Sequence, residues 1–522
     1  MTITIHQKGN IKFVTYKIFL GICIFSFVMC FYVETLLKAK LHNGRQLFGA
    51  TTDQPCDLLH RFQDFSRDWL RQRRARVDWK SIIKPCFDNM EWGLEKNHWG
   101  KGNRSSGRAS QVVYQDIRPA GEFSKIFIQS RTADNRTKTI GGDAWRVYVR
   151  GPSSVGATVF DHANGTYEAL FLLTEPGNYQ LKIYLDYSLC DGLKEPPKDW
   201  FILGDAQGKR QKEGLLGPID AFLFEPYKDG RPFTINVPEA TTSATFIEKL
   251  QYDLSSSSQS CNHLWDGFGE WKNKTWRPYV EESYNWSLPH GYRRNGTLHI
   301  FGDSMGVRLA NSVQSRELCQ SLYSQCLYSY QWIYPRKQGR IEDDDNLDFR
   351  PEVVIRNILD ILQSPSMRGK ENLLLLNLGL HFPQSVNFAS YQKLIRDLIH
   401  ILKKNQGDSK GNKLKYTAKV LWKTNTAIRK ENVEITNLTS WRFFTAQRIA
   451  LFSTFALSAM CEAGFNVVDV FPITDSYPDG ALDQVHYSND VFSALELLLE
   501  KYKVRKNRSV GESEKKDKLH YR

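Results

Sequence analysis

Between residues 110 and 190 apolar and polar positions alternate with a period of two. Trp145, Val147 and Val149 alternate with Arg146, Tyr148 and Arg150. Tyr179, Leu181, Ile183 and Leu185 alternate with Gln180, Lys182 and Tyr184. This period predicts half-buried strands, and Asn164-Gly165 and Pro176-Gly177 predict turns between them. Short strands at this spacing predict a β-sandwich. After Cys261 the pattern changes. Leu298–Phe301, Leu373–Leu378, Val420–Lys423 and Val467–Phe471 read as strands. Tyr391, Leu394, Ile395, Leu398, Ile399 and Leu402 trace a helical stripe. Further helices are predicted from about Met305, over Trp441–Ala463, and through Val491, Ala494, Leu495, Leu498 and Leu499. The apolar strand Leu373–Leu378 suits a position covered by helices on both faces. The βαβα alternation implies a mostly parallel sheet with ligands at the C-terminal strand ends. The predicted fold is multidomain: a β-sandwich followed by a three-layer α/β domain with a mostly parallel sheet.

The layout follows from these shifts of period. Residues 1–12 read as a short cytoplasmic N-terminus and the apolar segment 13–33 as a signal anchor or signal peptide. Residues 34–109 form a partly helical stem, with Leu58, Leu59, Phe62, Phe65, Trp69 and Leu70 at near-helical spacing. The sandwich occupies 110–190. Residues 191–260 read as an irregular linker, with a joint at Ser255–Ser258. The α/β domain fills 261–505, and 506–522 is a basic tail.

Composition narrows the class. The chain has 522 residues, 41% hydrophobic and 24% charged, which excludes a wholly disordered or collagen-like protein. A single long apolar run excludes a multi-span membrane protein. The net charge of +13 concentrates partly in the tail and partly between Arg61 and Lys80, where Arg71, Arg73, Arg74 and Arg76 cluster. Such charge could attract nucleic acid, anionic lipid or an acidic polymer, but for any one cluster a solvated surface and a flexible tail are the favoured reading.

Ile18 to Val33 carry no charge. The segment that follows, Glu34-Thr35-Leu36-Leu37-Lys38-Ala39-Lys40, lacks a small-residue cleavage site, which favours an uncleaved signal anchor over a signal peptide. N-x-S/T sequons at Asn103, Asn135, Asn164, Asn273, Asn285, Asn295, Asn437 and Asn507 all follow this run, placing the body in the secretory lumen or outside the cell. Of nine cysteines, Cys23 and Cys30 lie in the apolar run. The other seven are compatible with a few bridges whose connectivity the sequence leaves open. No Cys/His spacing indicates zinc. A luminal body disfavours nucleic acid as a partner.

Three strand ends carry candidate chemistry. Gly302-Asp303-Ser304 joins a strand to a helix. Ser304 there lies among the helix's first N–H groups, which favour negative charge, and Gly302 lets the backbone turn. The bland alternative is that Asp303 or Ser304 only caps the helix. Asp483-Gln484-Val485-His486 places a carboxylate where it orients an imidazole, so that the ring can take a serine proton. Asn377-Leu378-Gly379-Leu380-His381 ends the most buried strand. The Asn377 amide is a candidate oxyanion donor there, or a turn-forming Asn-x-Gly.

Two resemblances follow from these segments. GGDAWRVYVRGP (Gly141–Pro152) and VFDHANGTYEALFLLTEPGNYQLKI (Val159–Ile183) resemble a filamin-type Ig-like repeat and the neurexophilin domain. The G-D-S and D-x-x-H motifs, at Gly302–Ser304 and Asp483–His486, resemble the SGNH/GDSL hydrolases and especially their PC-esterase branch. Asn377 and Gly379 are similar to the third block of that branch, whereas the second-block oxyanion glycine has no counterpart in the motifs found. The whole order resembles the neurexophilin and PC-esterase domain family. The resemblance implies catalysis by Ser304, Asp483 and His486, with support from Asn377, Gly379, Gly302 and Asp303. It implies a glycan O-acetyltransferase or O-acetylesterase of the Golgi or the secreted space, acting on glycoproteins such as sialylated mucin chains. No cofactor is expected to be tightly held. The acetyl group would come from acetyl-CoA or another acetyl ester. The rival expectation is a catalytically inactive, neurexophilin-like extracellular binding protein.

Overall fold

The structure is a computed structural model. It describes residues 55–93, 99–197, 200–201, 222–240, 246–247, 263–280, 292–333, 349–406, 415–432 and 441–505. The apolar segment 13–33, the Ser255–Ser258 joint, the tail 506–522, and Asn285, Asn437 and Asn507 lie outside the described residues. Among the described residues no helix is long and apolar enough to cross a membrane. Contacts divide the chain into Met1–Arg67 and Asp68–Arg522. In the first unit Phe62 and Phe65 stack within the helix Pro55–Ala75.

The second unit contains two sheet systems. The sandwich strands are β1 (Gln111–Asp116), β2 (Phe123–Gln129), β3 (Ala144–Arg150), β4 (Ser154–Gly156), β5 (Thr158–Asp161), β6 (Thr166–Leu172) and β7 (Gly177–Tyr187). These are joined by β8 (Glu225–Pro226), β9 (Phe233–Val237), β11 (Gly269–Lys272) and β12 (Thr275–Pro278), with β10 (His263–Trp265) lying elsewhere. One sheet has the order β1-β2-β6-β5. The other runs β12-β11-β4-β3-β7-β8, with β9 also on β7. Trp145, Val147, Val149, Leu181, Ile183 and Leu185 meet Ile126, Ile128, Ala169 and Phe171 between the sheets, as the two-residue period requires.

The sandwich extends beyond the expected 110–190. Residues 225–237 read as linker, yet β8 and β9 both pair antiparallel with β7. The expected boundary at 261 is also crossed, because Trp271 of β11 pairs with Ser154 of β4. The stem departs from expectation as well. From Asp68 onward the helix belongs to the second unit, where Trp69 is fully buried beside Phe123 and Tyr279. The basic run there is largely neutralised internally: Arg71 pairs with Glu168, Arg73 with Asp266, and Arg76 with Asp469. Cys86 and Cys190 form a disulfide, as do Cys319 and Cys326, and Cys461 is disulfide-bonded too.

The α/β sheet contains β10, β13 (Thr297–Gly302), β14 (Gln325–Tyr330), β15 (Leu373–Leu376), β16 (Lys419–Lys423) and β17 (Asn466–Val468), in the order β10-β17-β16-β15-β13-β14. All its pairings are parallel. The alternation of side chains divides the apolar run between two cores. Leu374 and Leu376 face the helices Pro351–Gln363, Phe388–Asn405 and Ala446–Glu462. Leu373 and Leu375 face Ser304–Gln314 and the helix at 493–505. The helix expected from Trp441 begins at Ala446, because the Thr445 hydroxyl accepts the Arg448 N–H and caps it there. The strand expected over Val467–Phe471 ends at Val468, and a short helix with Pro472 in its first turn follows. The chain runs from β13 to β14 on one side and then returns to β15 on the other. The C-terminal end of β13 is therefore the switch point, where such sheets open a crevice.

Four described sequon asparagines, Asn135, Asn164, Asn273 and Asn295, are exposed, and Asn103 is half-buried.

His299 lies within β13, its Nε2 2.9 Å from the Ser329 hydroxyl. Burial pushes its imidazole down from 6.5 to about 4. Between these values the unfolded chain binds the extra proton. Stability from this group is thus complete above pH 6.5 and falls as pH drops toward 4, by on the order of 3 kcal/mol. Denaturation of the wild type across this window is expected to show the loss, and His299→Gln to show a shallower one. Equal slopes in both proteins would contradict the assignment.

Candidate active site

Ser304 is placed by what surrounds the end of β13. Gly302 accepts the Gln331 N–H at 2.7 Å from the chain leaving β14. Asp303 caps the helix Ser304–Gln314, one carboxylate oxygen accepting the Met305 N–H at 2.9 Å. Its other oxygen accepts the Leu380 N–H at 2.8 Å, tying the turn after β15 to the same point. Gly379 makes that turn possible. Its φ is +79°, and a Cβ there would lie 2.8 Å from the Asp303 side chain. The capping role weighed for Asp303 is the one it has.

The three motif residues expected to meet do meet. The Ser304 Oγ lies 2.8 Å from Nε2 of His486, across 182 residues of chain. His486 Nδ1 lies 2.7 Å from Oδ2 of Asp483. Oδ1 of Asp483 accepts the backbone N–H groups of Val485 and His486, each at 2.7 Å. Burial works against the Asp483 charge, but the bonds from the His486 ring and from these two N–H groups outweigh it and hold the carboxyl below its ordinary range. An ionised Asp483 can only accept, so Nδ1 carries the proton and Nε2 is left to accept from the serine hydroxyl. The relay is open to solvent, with the His486 side chain 28% exposed.

Asn377 behaves differently from the expectation. Its Nδ2 donates to the Lys423 carbonyl and to Oδ1 of Asn425, both at 2.9 Å. An amide has two N–H donors, and they go to the last residue of β16 and to Asn425 just after it. Asn377 therefore ties β15 to β16 beneath the site and is not an oxyanion donor in this arrangement. The remaining expected donor is the Ser304 backbone N–H at the helix start.

The end of β16 supplies residues that motif reading missed. Lys423 is buried, and burial pushes its ammonium down to about 8, against the pull of Asp303. The Arg429 N–H donates to the Gln484 carbonyl at 2.9 Å. Asn432 Nδ2 donates to the carbonyl of Asp483 at 2.9 Å. The Tyr487 hydroxyl donates to the Ala427 carbonyl at 3.0 Å. The available signal was the polar stretch Thr424-Asn425-Thr426 just after an apolar strand, at the strand end where ligands collect. Trp332 and His381 pack edge to face at 4.7 Å. They follow Gln331 and Leu380, the residues bonded to Gly302 and Asp303.

A separate cavity of about 680 Å³ opens between the sandwich and the α/β domain. Arg71, Arg76, Tyr148, Gln447, Phe471 and Asp475 are among its lining residues, whereas Ser304, Asp483 and His486 are not. Among the described residues no group of three or more His, Cys, Asp or Glu side chains is placed to hold a metal ion.

Residues 104–189 match the Filamin/ABP280 repeat. Among solved structures, the crystal structure of the Lin-41 filamin domain is similar at 15% identity, over 26% of this chain and 99% of that one, with a TM-score of 0.17. The repeat match over 104–189 makes the N-terminal sandwich a filamin-type, Ig-like region, and an α/β region with a parallel sheet follows it.

Asn377→Ala is expected to lower unfolding free energy by about 1–3 kcal/mol, since the buried Lys423 carbonyl and Asn425 side chain lose their donor. Denaturant titration checks this. A change near zero would show that those bonds contribute nothing.

Proposed function

We propose that this protein is a secretory-pathway serine acyltransferase or esterase that moves acetyl groups on or off glycan hydroxyls. One observation carries the reading: the unbroken Ser304–His486–Asp483 relay at 2.8 and 2.7 Å. The resemblance of its two motifs to the PC-esterase branch of the SGNH hydrolases supplies the acetyl chemistry. The sequons supply the luminal setting, with glycans or sialylated glycoproteins as substrates and no nucleic-acid partner.

In the proposed reaction the Ser304 Oγ attacks the acetyl carbonyl of acetyl-CoA or another acetyl ester, and His486 Nε2 takes its proton. Asp483 steadies the imidazolium. The Ser304 N–H, at the positive end of its helix, stabilises the tetrahedral oxyanion. The oxyanion collapses, the leaving group departs with the proton from His486, and acetyl-Ser304 remains. A sugar hydroxyl or water then loses its proton to His486 and attacks the acetyl carbon. The product is an acetylated glycan or acetate, and Ser304 regains its proton. Transfer and hydrolysis share these residues, so exclusion of water decides between them.

The filamin-type match over 104–189 favours a second reading, an extracellular binding protein whose α/β region does no chemistry. An active-site serine probe separates the two, because only the enzyme reading predicts labelling of Ser304. Ser304→Ala and His486→Ala are each expected to lower acetyl transfer or release on secretory glycans by about 10³-fold or more, and Asp483→Asn by about 10²–10⁴-fold, with folding retained. Unchanged activity in correctly expressed Ser304→Ala and His486→Ala would sink the enzyme reading.

A further inference from the structure

The loop that presents His486 rests on the segment after β16, and that segment is gripped by the sandwich. Three consecutive residues each take a different sandwich partner. The Arg429 guanidinium lies 4.2 Å over the ring of Tyr148. Lys430 Nζ donates to the Tyr187 hydroxyl at 2.7 Å. Glu431 accepts from both terminal nitrogens of Arg146, at 3.3 and 3.1 Å. Arg146 also donates to Asp186 at 2.8 Å, and the Tyr148 hydroxyl to Asp475 at 3.3 Å. Arg429 Nη2 donates to the Asp475 carbonyl at 3.1 Å. Tyr148, Arg429 and Asp186 are all buried, so solvent screens these contacts little. On its other side the same segment holds the Asp483–His486 loop through Arg429 N–H to Gln484 and Asn432 to Asp483. The path from β3 and β7 of the sandwich to the imidazole is continuous.

We propose that the sandwich is a positioning part of the active site: Tyr148, Tyr187 and Arg146 clamp Arg429-Lys430-Glu431 and thereby hold His486 in register with Ser304. The clamp rests on the serine reading proposed above. A hydrogen bond between side chains 182 residues apart tolerates little drift of either loop, and displacement of a catalytic group by about 1 Å lowers rates by about 10²-fold. Tyr148, Tyr187 and Arg146 are positioning residues: they bear on the imidazole through Arg429, Lys430 and Glu431.

The test uses the full chain and a fluorophosphonate probe. Tyr148→Leu removes the ring beneath Arg429, Tyr148→Phe keeps it, and Glu431→Gln removes only the charge facing Arg146. Labelling of Ser304 is expected to slow about 10–100-fold in Tyr148→Leu and Glu431→Gln, with its pH profile displaced and backbone hydrogen exchange faster at 480–487. Tyr148→Phe is expected to recover most of the rate lost in Tyr148→Leu. Glu431→Gln carries the test if Tyr148→Leu is not recovered folded. Wild-type labelling in the folded variants overturns the clamp and leaves the serine chemistry standing. Slow labelling with unchanged exchange at 480–487 overturns it as well. A wild-type protein labelled no faster than Ser304→Ala overturns the serine chemistry, and the clamp with it.

Discussion

Asp303 is a carboxylate with 1% of its surface exposed, and such a group is tolerated inside a protein only when hydrogen bonds replace its water. Its two oxygens meet that demand from two places, the first turn of the Ser304 helix and the turn after β15. The pairing fixes the angle at which β13 gives way to a helix, and so where the serine hydroxyl emerges. It also explains why Gly379 cannot carry a side chain, since the turn must close directly onto Asp303. Asn377 continues the lattice by tying β15 to β16. Buried polar groups that satisfy one another thus hold three neighbouring strand ends at a common height, a network in which a missing member leaves its partners unsatisfied.

The features legible in the sequence were those set by local periodicity or by motifs at strand ends. Alternation of Trp145, Val147 and Val149 with polar neighbours described the inner face of β3, because the pleat fixes which side chains point inward. The Gly302–Ser304 and Asp483–His486 motifs could be placed because both fall where a parallel sheet leaves its strand ends open. Elements whose existence depends on distant partners were not legible. β8 has two residues, one of them Pro226, and becomes a strand only by pairing with β7. β11 joins the sandwich through Trp271 and Ser154, far apart in the chain. The bonding of Asn377 was not legible for a related reason. An amide at a strand end donates to whatever acceptor arrives, and the Lys423 carbonyl arrives from a strand formed some forty residues later, a separation of 46.

The outer face of β3 shows how far an alternation pattern can mislead. Arg146, Tyr148 and Arg150 occupy the polar positions, which in an antiparallel sheet ordinarily face water. Here they face the α/β region. Arg146 meets Glu431, Tyr148 meets Arg429, and Arg150 donates to the carbonyls of Ser476 and Tyr477. A period of two separates the two faces of a strand but does not say what covers the second. Parting the two regions would expose or unpair a buried Arg–carboxylate cluster, and breaking such a cluster costs several kcal/mol even where forming it contributes little. The polar composition of this interface is therefore no sign of a loose tether. It makes the sandwich and the α/β region sensitive to each other's position, and the residues carrying that sensitivity adjoin the loop that holds the imidazole.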